Sequence, residues 1–473
     1  MDATLRRMLV PLALTQFIAS FAGSNMNVAI SSIANDLNTT VQGVQIAITM
    51  FLLTMAALMI TGSKLTDIWG RKFCLTLGLI VYGIGAVLAA LAQALPLLIV
   101  GYSMFEGVGS ALMIPPVYIL TTALFTDTTS RAKAFGAVMG AGGVGAAAGP
   151  LIGGLITTAV SWRASFLLQA LVVGGIVLLS RQVADAGIQG AKPTFDLLGS
   201  ILSALGMFFF VFGIQQASTS FTLMLGLMAV GVAILAWFFL HIRAVERRGG
   251  DPLLRTDLFR NGASNLGMVT QNVQWLMLLG ISFVVSVYLQ VVRGYTAIQT
   301  GVIFTAATVG VLISSALQGR FAQRRSPRTL VVAGFVLALV GMGLLLALAS
   351  ATSPPAAFLP GLFVIGFGIG GMLTPSVNVV QSAFPDERQG EISGLSRSVS
   401  NLGSSFGTAI GGTVLALTVA AGNKSYALAL IALGVFGLLG LLASFFLPGG
   451  TAGQPAPATG GAMRRRHEPR PTA

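Results

Sequence analysis

Of the fourteen Asp and Glu residues, Glu106 alone sits well inside an apolar run, the one over 97–121. A charged carboxylate there costs several kcal/mol, roughly 2.5 or more, unless a cation or water compensates. Ser103 and Ser110 stand at i−3 and i+4 and give Glu106 a polar helical face. Such a group either takes up a proton when sheltered and releases it when hydrated, or stays protonated and hydrogen-bonded to a neighbouring helix. A second polar stripe runs through Gln16, Ser20, Ser24, Asn27 and Ser31, whose steps of three and four place them on one face about 100° wide. Facing lipid, these groups would go unsatisfied, so the stripe faces protein or a water-filled cavity. The apolar runs hold no carboxylate pair, His cluster or nucleophile–base set, so an enzyme is not expected. One cysteine, Cys74, and two histidines, His241 and His467, give no disulfide framework and little for a metal site; no cofactor is expected. No Gly-rich loop ends in Gly-Lys-Ser or Gly-Lys-Thr, so any work comes from a gradient rather than from ATP.

The elements that must position these residues are apolar helices. Hydrophobic residues make up 55% of the chain and charged ones 9%, against roughly a quarter charged in an ordinary soluble domain. Runs long enough to cross about 30 Å of hydrocarbon recur over 8–33, 44–62, 73–93, 97–121, 134–158, 164–180, 197–216, 221–240, 263–290, 298–317, 329–350, 357–381, 392–420 and 426–447. Fourteen spans are expected. With the N-terminus cytoplasmic, all but Arg163, Arg293 and Lys424 of the 27 Lys and Arg fall on the inner side. That asymmetry is the positive-inside rule, so the net charge of +13 needs no nucleic acid. The tail beyond Pro448, ending in Arg464-Arg465-Arg466, reads as disordered cytoplasmic chain whose cations meet anionic lipid.

One glycine pattern occurs twice. Gly136, Gly145, Gly149, Gly153 and Gly154 in the fifth span recur at a constant offset of 258 as Gly394, Gly403, Gly407, Gly411 and Gly412 in the thirteenth. Equivalence of these spans implies an N-terminal six-helix bundle over 1–190, two inserted helices over 191–245, a C-terminal six-helix bundle over 246–448 and the tail over 449–473. Small residues at i and i+4 in Gly145, Gly149, Gly153 and Gly154 permit backbone contact between helices, and Pro150 bends the fifth one. Between spans two and three, Ser63-Lys64-Leu65-Thr66-Asp67-Ile68-Trp69-Gly70-Arg71-Lys72 places a turn-forming glycine between an acid and two cations. A copy without the acid follows span ten, from Gly319-Arg320 to Arg328.

The first of these loops resembles the signature of the major facilitator superfamily, and Gly145 to Gly154 with Pro150 is similar to the motif of its exporters. Arg131-Ala132-Lys133-Ala134, Ser161-Trp162-Arg163, Phe195-Asp196-Leu197-Leu198-Gly199, Glu246-Arg247-Arg248 with Pro252-Leu253-Leu254, and Tyr288-Leu289-Gln290 with Gly294-Tyr295 are together similar to its fourteen-helix drug:proton antiporters. The resemblance implies an all-α membrane protein with two six-helix bundles and alternating access. It implies a conformational latch at Asp67, Gly70 and Arg71, with Asp127 as the expected partner of Arg71. Spans one, four, nine and twelve then line a cavity of Gln16, Ser24, Asn27, Ser103, Ser110, Met113, Gln271, Gln274 and Asn378, with Tyr118, Trp275 and Gln381 near it. Such a lining suits a bulky amphipathic solute. The family's usual first-span acid and fourth-span arginine fall at Ala22 and Ser103, so both charges are missing and Glu106 is the remaining candidate for proton coupling. The expected function is export of an amphipathic drug-like or metabolite solute by proton antiport from the cell membrane, by a monomer surrounded by lipid; movement of a lipid or apolar metabolite without coupling is the alternative.

Overall fold

The computed structural model describes residues 3–125, 128–183, 194–348, 353–384, 388–418 and 424–449. Among the described residues every regular element is helical. The long helices, in chain order, are α1 Arg7–Asp36, α2 Val41–Trp69, α3 Arg71–Ala90 and α4 Leu95–Leu124, α5 Thr128–Ala159, α6 Trp162–Ser180, α7 Leu197–Gln215, α8 Phe221–Arg247 and α9 Gly262–Val292, α10 Ala297–Arg324, α11 Pro327–Leu348 and α12 Pro355–Gln381, α13 Gln389–Leu417 and α14 Lys424–Ser444.

Twelve of these are long and apolar enough to cross a membrane. The expected fourteen spans are not reached on that measure, for two physical reasons. α5 bends by 40° between Gly136–Ala146 and Ala148–Ala159, so that it qualifies only when both arms count as one span. α13 carries Glu391, Arg397 and six serines and is too polar to qualify by composition. Several boundaries follow from side chains that satisfy the first free amides of a helix. Thr40 accepts from Gly43 N, Ser161 from Ala164 N and Asn261 from Ser264 N, and Thr296 with Gln299 closes a reciprocal capping box at α10. α2 stops because Gly70 has φ of +103°, a conformation that strains any side-chain-bearing residue.

Two large apolar clusters divide the chain. One takes Leu12, Phe51, Tyr82, Tyr102 and Phe166 from α1, α2, α3, α4 and α6. The other takes Met277, Phe304, Phe335, Phe358 and Leu433 from α9 to α12 and α14. α1 and α9 stitch them, since Val28 belongs to the second cluster and Leu279, Phe283 and Val287 to the first. α7 leans on α2 and α13, and α8 packs on α7. α8 leaves Trp237 and Leu240 exposed, as a peripheral helix bathed in lipid would.

The glycine repeat has a direct structural counterpart. α5 packs along α1 so tightly that a Cβ on Gly145 would run into the Phe17 carbonyl. α13 packs along α9 in the same way, Gly403 over the Asn272 carbonyl and Gly407 over that of Leu276. The last glycine of each set points elsewhere: Gly154 meets the Ala297 carbonyl of α10, where Gly301 in turn meets that of Pro150, and Gly412 meets Gln45 of α2. Each glycine-rich helix therefore joins one helix of its own half of the chain and one of the other half.

These contacts order the cost of substitution. At Gly145 an alanine methyl meets backbone, which cannot move aside, whereas at Gly149 it meets the Ser24 hydroxyl, which can rotate. Gly145→Ala is expected to lower stability by about 1–3 kcal/mol, and Gly149→Ala by less, read as thermal midpoints of the purified protein. Gly149→Leu is expected to be worse than Gly149→Ala.

Candidate functional site

The polar stripe of α1 is bonded to other helices at both ends, with Asn27 Oδ1 left without a partner among the described residues. Towards the end of the molecule that carries Arg163, Asn27 Nδ2 donates to Ser282 Oγ at 3.4 Å, Gln290 Nε2 donates to the Asn27 carbonyl at 2.9 Å, and Ser286 Oγ donates to the same carbonyl. The Ser31 amide completes this joint between α1 and α9 by donating to Gln290 Oε1 at 3.1 Å. Towards the Arg71 end, the Tyr118 hydroxyl of α4 donates to Gln16 Oε1 at 2.9 Å. Arg397 of α13 donates to that hydroxyl and lays its guanidinium over the Tyr118 ring, 4.9 Å from the centroid. Met139 of α5 closes the group, its sulfur 3.6 Å from the Arg397 Nη2. Ser24 turns back on its own helix, donating to the Phe21 carbonyl at 3.2 Å.

α2 and α13 meet along their lengths. Ser63 donates to the Gly390 carbonyl at 3.1 Å, Ser398 to the Ala56 carbonyl at 2.5 Å, Ser405 to the Thr49 carbonyl at 3.2 Å, and Gln45 to the Thr408 carbonyl at 3.3 Å. Serine at this spacing serves a seam between helices in lipid, where each hydroxyl needs a protein partner. Gln271 of α9 adds to it by accepting from Ser396 at 2.9 Å.

Glu106 ends a π-helical stretch of α4, Ile99–Glu106, and is fully buried. Neither carboxylate oxygen meets a donor in hydrogen-bonding geometry among the described residues. The nearby Tyr82 hydroxyl is committed to Gln169 Oε1 at 2.5 Å. Ser103 donates to the Ala47 carbonyl of α2 at 2.7 Å, and Met113 packs against Gly78 of α3. Ser103, Glu106, Ser110 and Met113 are thus all fully buried, on a helix that packs chiefly against α2 and α3. Ala22 is buried too, and its carbonyl accepts from Tyr102. Gln274 is buried with both amide atoms unsatisfied among the described residues, and Asn378 is exposed.

The loop motifs act as ties. Asp67 is half-buried beside Lys64 and Arg71, and Lys72 Nζ donates to the Arg181 carbonyl at 3.1 Å. Asp127, the expected partner of Arg71, lies outside the described residues. Arg163 binds Asp36 and, at 2.6 Å, the Ala92 carbonyl, while Trp162 Nε1 donates to Asp36 at 3.1 Å. Asp196 caps α7 through Gly199 N at 2.8 Å, meets His241 Nε2 of α8 at 2.9 Å and accepts from Leu253 N at 3.1 Å. Arg388 pairs with Asp257 at 2.6 Å; that hydrogen bond raises the guanidinium further above its ordinary value. Sequence reasoning missed Arg397, because a cation near the start of a span reads as a loop charge.

The model of the major facilitator superfamily matches residues 12–408 and again 268–469. The chain belongs to that superfamily, and so to a class of membrane transporters rather than enzymes. It is 29% identical over 413 residues to the puromycin resistance protein pur8 of Streptomyces alboniger, covering 86% of this chain and 81% of that one. It is 28% identical over 403 residues to the multidrug resistance protein Stp of Mycobacterium tuberculosis, covering 84% and 73%. The probable actinorhodin transporter of Streptomyces coelicolor is 28% identical over 412 residues, covering 83% and 69%.

Because Asp196 holds three segments through one carboxylate, Asp196→Ala is expected to cost more than the ~0.5–2 kcal/mol of a lost helix cap alone. Asp196→Asn, which keeps a cap acceptor, should fall between it and wild type in thermal unfolding.

Proposed function

We propose that this protein is a secondary exporter of small amphipathic drug-like or metabolite solutes at the cell membrane, working by alternating access and proton antiport. The observation that carries this reading is the make-up of the α1–α9 joint, where hydrogen bonds from Asn27 to Ser282 and from Ser286 and Gln290 to the Asn27 carbonyl join helices of the two apolar clusters. Each such bond is worth about 0.5–1.5 kcal/mol net when water can replace it, so the joint can part at modest cost. The relatives named for resistance support the direction of transport.

In this reading all fourteen long helices cross the membrane, as bundles over 1–190 and 246–448 with the pair over 191–245 inserted and the tail over 449–473 cytoplasmic beside the N-terminus. α13 crosses despite its serines because Ser398 and Ser405 donate to α2 carbonyls, Ser396 to Gln271 of α9 and Ser400 to its own helix. Gln16, Ser24, Asn27, Gln271, Gln274 and Asn378 contact solute when the bundles part, and Asp67, Gly70, Arg71 and Asp127 latch the cytoplasmic side. Glu106 binds the coupling proton and exchanges it with water that enters the N-terminal bundle.

The deep enclosure of Glu106 also favours a second reading, in which the carboxyl is structural and the protein moves a lipid or apolar metabolite without coupling. Glu106→Gln in proteoliposomes separates the two. Proton antiport predicts loss of pH-driven accumulation with retained downhill movement, while unchanged accumulation selects the second reading. Asp67→Asn is expected to insert normally and to slow transport at least tenfold in the same vesicles; wild-type rates would remove the latch.

A further inference from the structure

We propose that Arg397 and Tyr118 form the recognition point for an anionic aromatic solute. This rests on the exporter reading and adds to it the charge of the cargo.

Arg397 lies about two turns inside α13 from Gln389, deeper in its helix than any other described Lys or Arg. Among the described residues no carboxylate lies within ion-pair distance of it. Its partners are the face and the hydroxyl of Tyr118 and the sulfur of Met139, none of which carries a full negative charge. A guanidinium at membrane depth without a counter-charge is costly to keep, and cation–π contact offsets only part of that cost. A charge so placed has a use when an anion visits it.

The surroundings suit an aromatic anion. A cavity of about 10 Å³ beside the guanidinium, room for one water, is walled by Met59, Ile114, Pro115, Ile119 and Gly394. Polarizable sulfur and ring edges adapt to flat aromatic surfaces. The polar side chains at the α1–α9 and α4–α13 contacts, Gln16, Asn27, Ser282, Ser286 and Gln290, are neutral. The first-span position Ala22 carries no acid, and Glu106 is fully buried beside Gly85 of α3. At the α2–α13 seam Lys64 and Glu391 lie close enough to offset one another, which leaves Arg397 as the uncompensated charge among these described contacts, so the field there attracts anions and opposes cations.

Binding is an exchange of hydrogen bonds. The solute's carboxylate or phenolate accepts the guanidinium donors, bidentately for a carboxylate, and displaces the Tyr118 hydroxyl, which keeps its bond to Gln16. Because the Arg397–Tyr118 contact ties α13 to α4, an anion that takes its place loosens that tie. Recognition and separation of the halves are then one event.

The test uses the full-length protein in nanodiscs and two fluorescent probes of similar size, fluorescein as an aromatic carboxylate anion and ethidium as an aromatic cation, read by polarisation. Wild type is expected to bind fluorescein at least tenfold more tightly than ethidium. Arg397→Gln should weaken fluorescein at least tenfold and change ethidium less than twofold, and Arg397→Lys should lie between. Ethidium bound as tightly as fluorescein, fluorescein unbound by wild type, or fluorescein affinity unchanged in Arg397→Gln would overturn the proposal. So would equal loss of both probes in Arg397→Gln, which would mark the contact as structural; thermal unfolding of each variant checks the fold. Vesicle transport separates the exporter reading: ethidium extruded without fluorescein binding leaves an exporter without this site, and fluorescein bound by an Arg397-dependent protein that extrudes neither dye leaves the site without the exporter.

Discussion

Everything in this molecule depends on how closely α5 approaches α1 and α13 approaches α9. Between helices in lipid there is little hydrophobic gain from contact, so association rests on van der Waals packing and interhelical hydrogen bonds. Gly145 over the Phe17 carbonyl and Gly403 over the Asn272 carbonyl bring backbones together at a distance no larger residue allows. These two helix pairs fix the rest. α1 is held so that its polar stripe faces α4 and α9, and α13 is held so that Ser398 and Ser405 face α2.

Within each apolar cluster the packing is dense and aromatic, with Phe51 stacked on Tyr102 at 4.5 Å and Tyr288 on Tyr426 at 4.3 Å. Between the clusters the character changes. The α1–α9 joint, the α2–α13 seam and the Arg397–Tyr118 contact are made largely of hydroxyls, amides and carbonyls, which water can satisfy equally well once it enters. A molecule built this way has stiff units and exchangeable joints, the physical requirement for rigid-body rocking about a central site.

Much of this was legible in the sequence. Helix positions followed from apolar runs, and the repeat at Gly145 and Gly403 announced equivalent packing before any contact was known. Gly70 read correctly as a forced turn, and the α1 stripe as protein-facing. What was not legible came from rotation and from distant partners. The π-helical stretch Ile99–Glu106 changes the register of the α4 face relative to a regular helix, which spacing does not announce, and Ser103, Ser110 and Met113 are all buried in this structure. In a helix apolar all round, periodicity carries little information about which side faces solute. Asp36 as the partner of Arg163, and His241 and Leu253 as those of Asp196, are long-range pairings that spacing along one chain does not encode. Arg397 was hidden by its place near the polar start of a span.

Alternating access requires the α1–α9 joint to open and close in each transport cycle. The most direct measurement replaces Cys74 with alanine, introduces cysteines at Asn27 and Ser282, whose side chains meet at 3.4 Å, and joins them with a short cleavable bifunctional thiol reagent in proteoliposomes. Transport should stop on cross-linking and return on cleavage, while either single-cysteine variant treated alike keeps its rate. Full transport with the pair quantitatively cross-linked would contradict the rocking of the two halves about this joint.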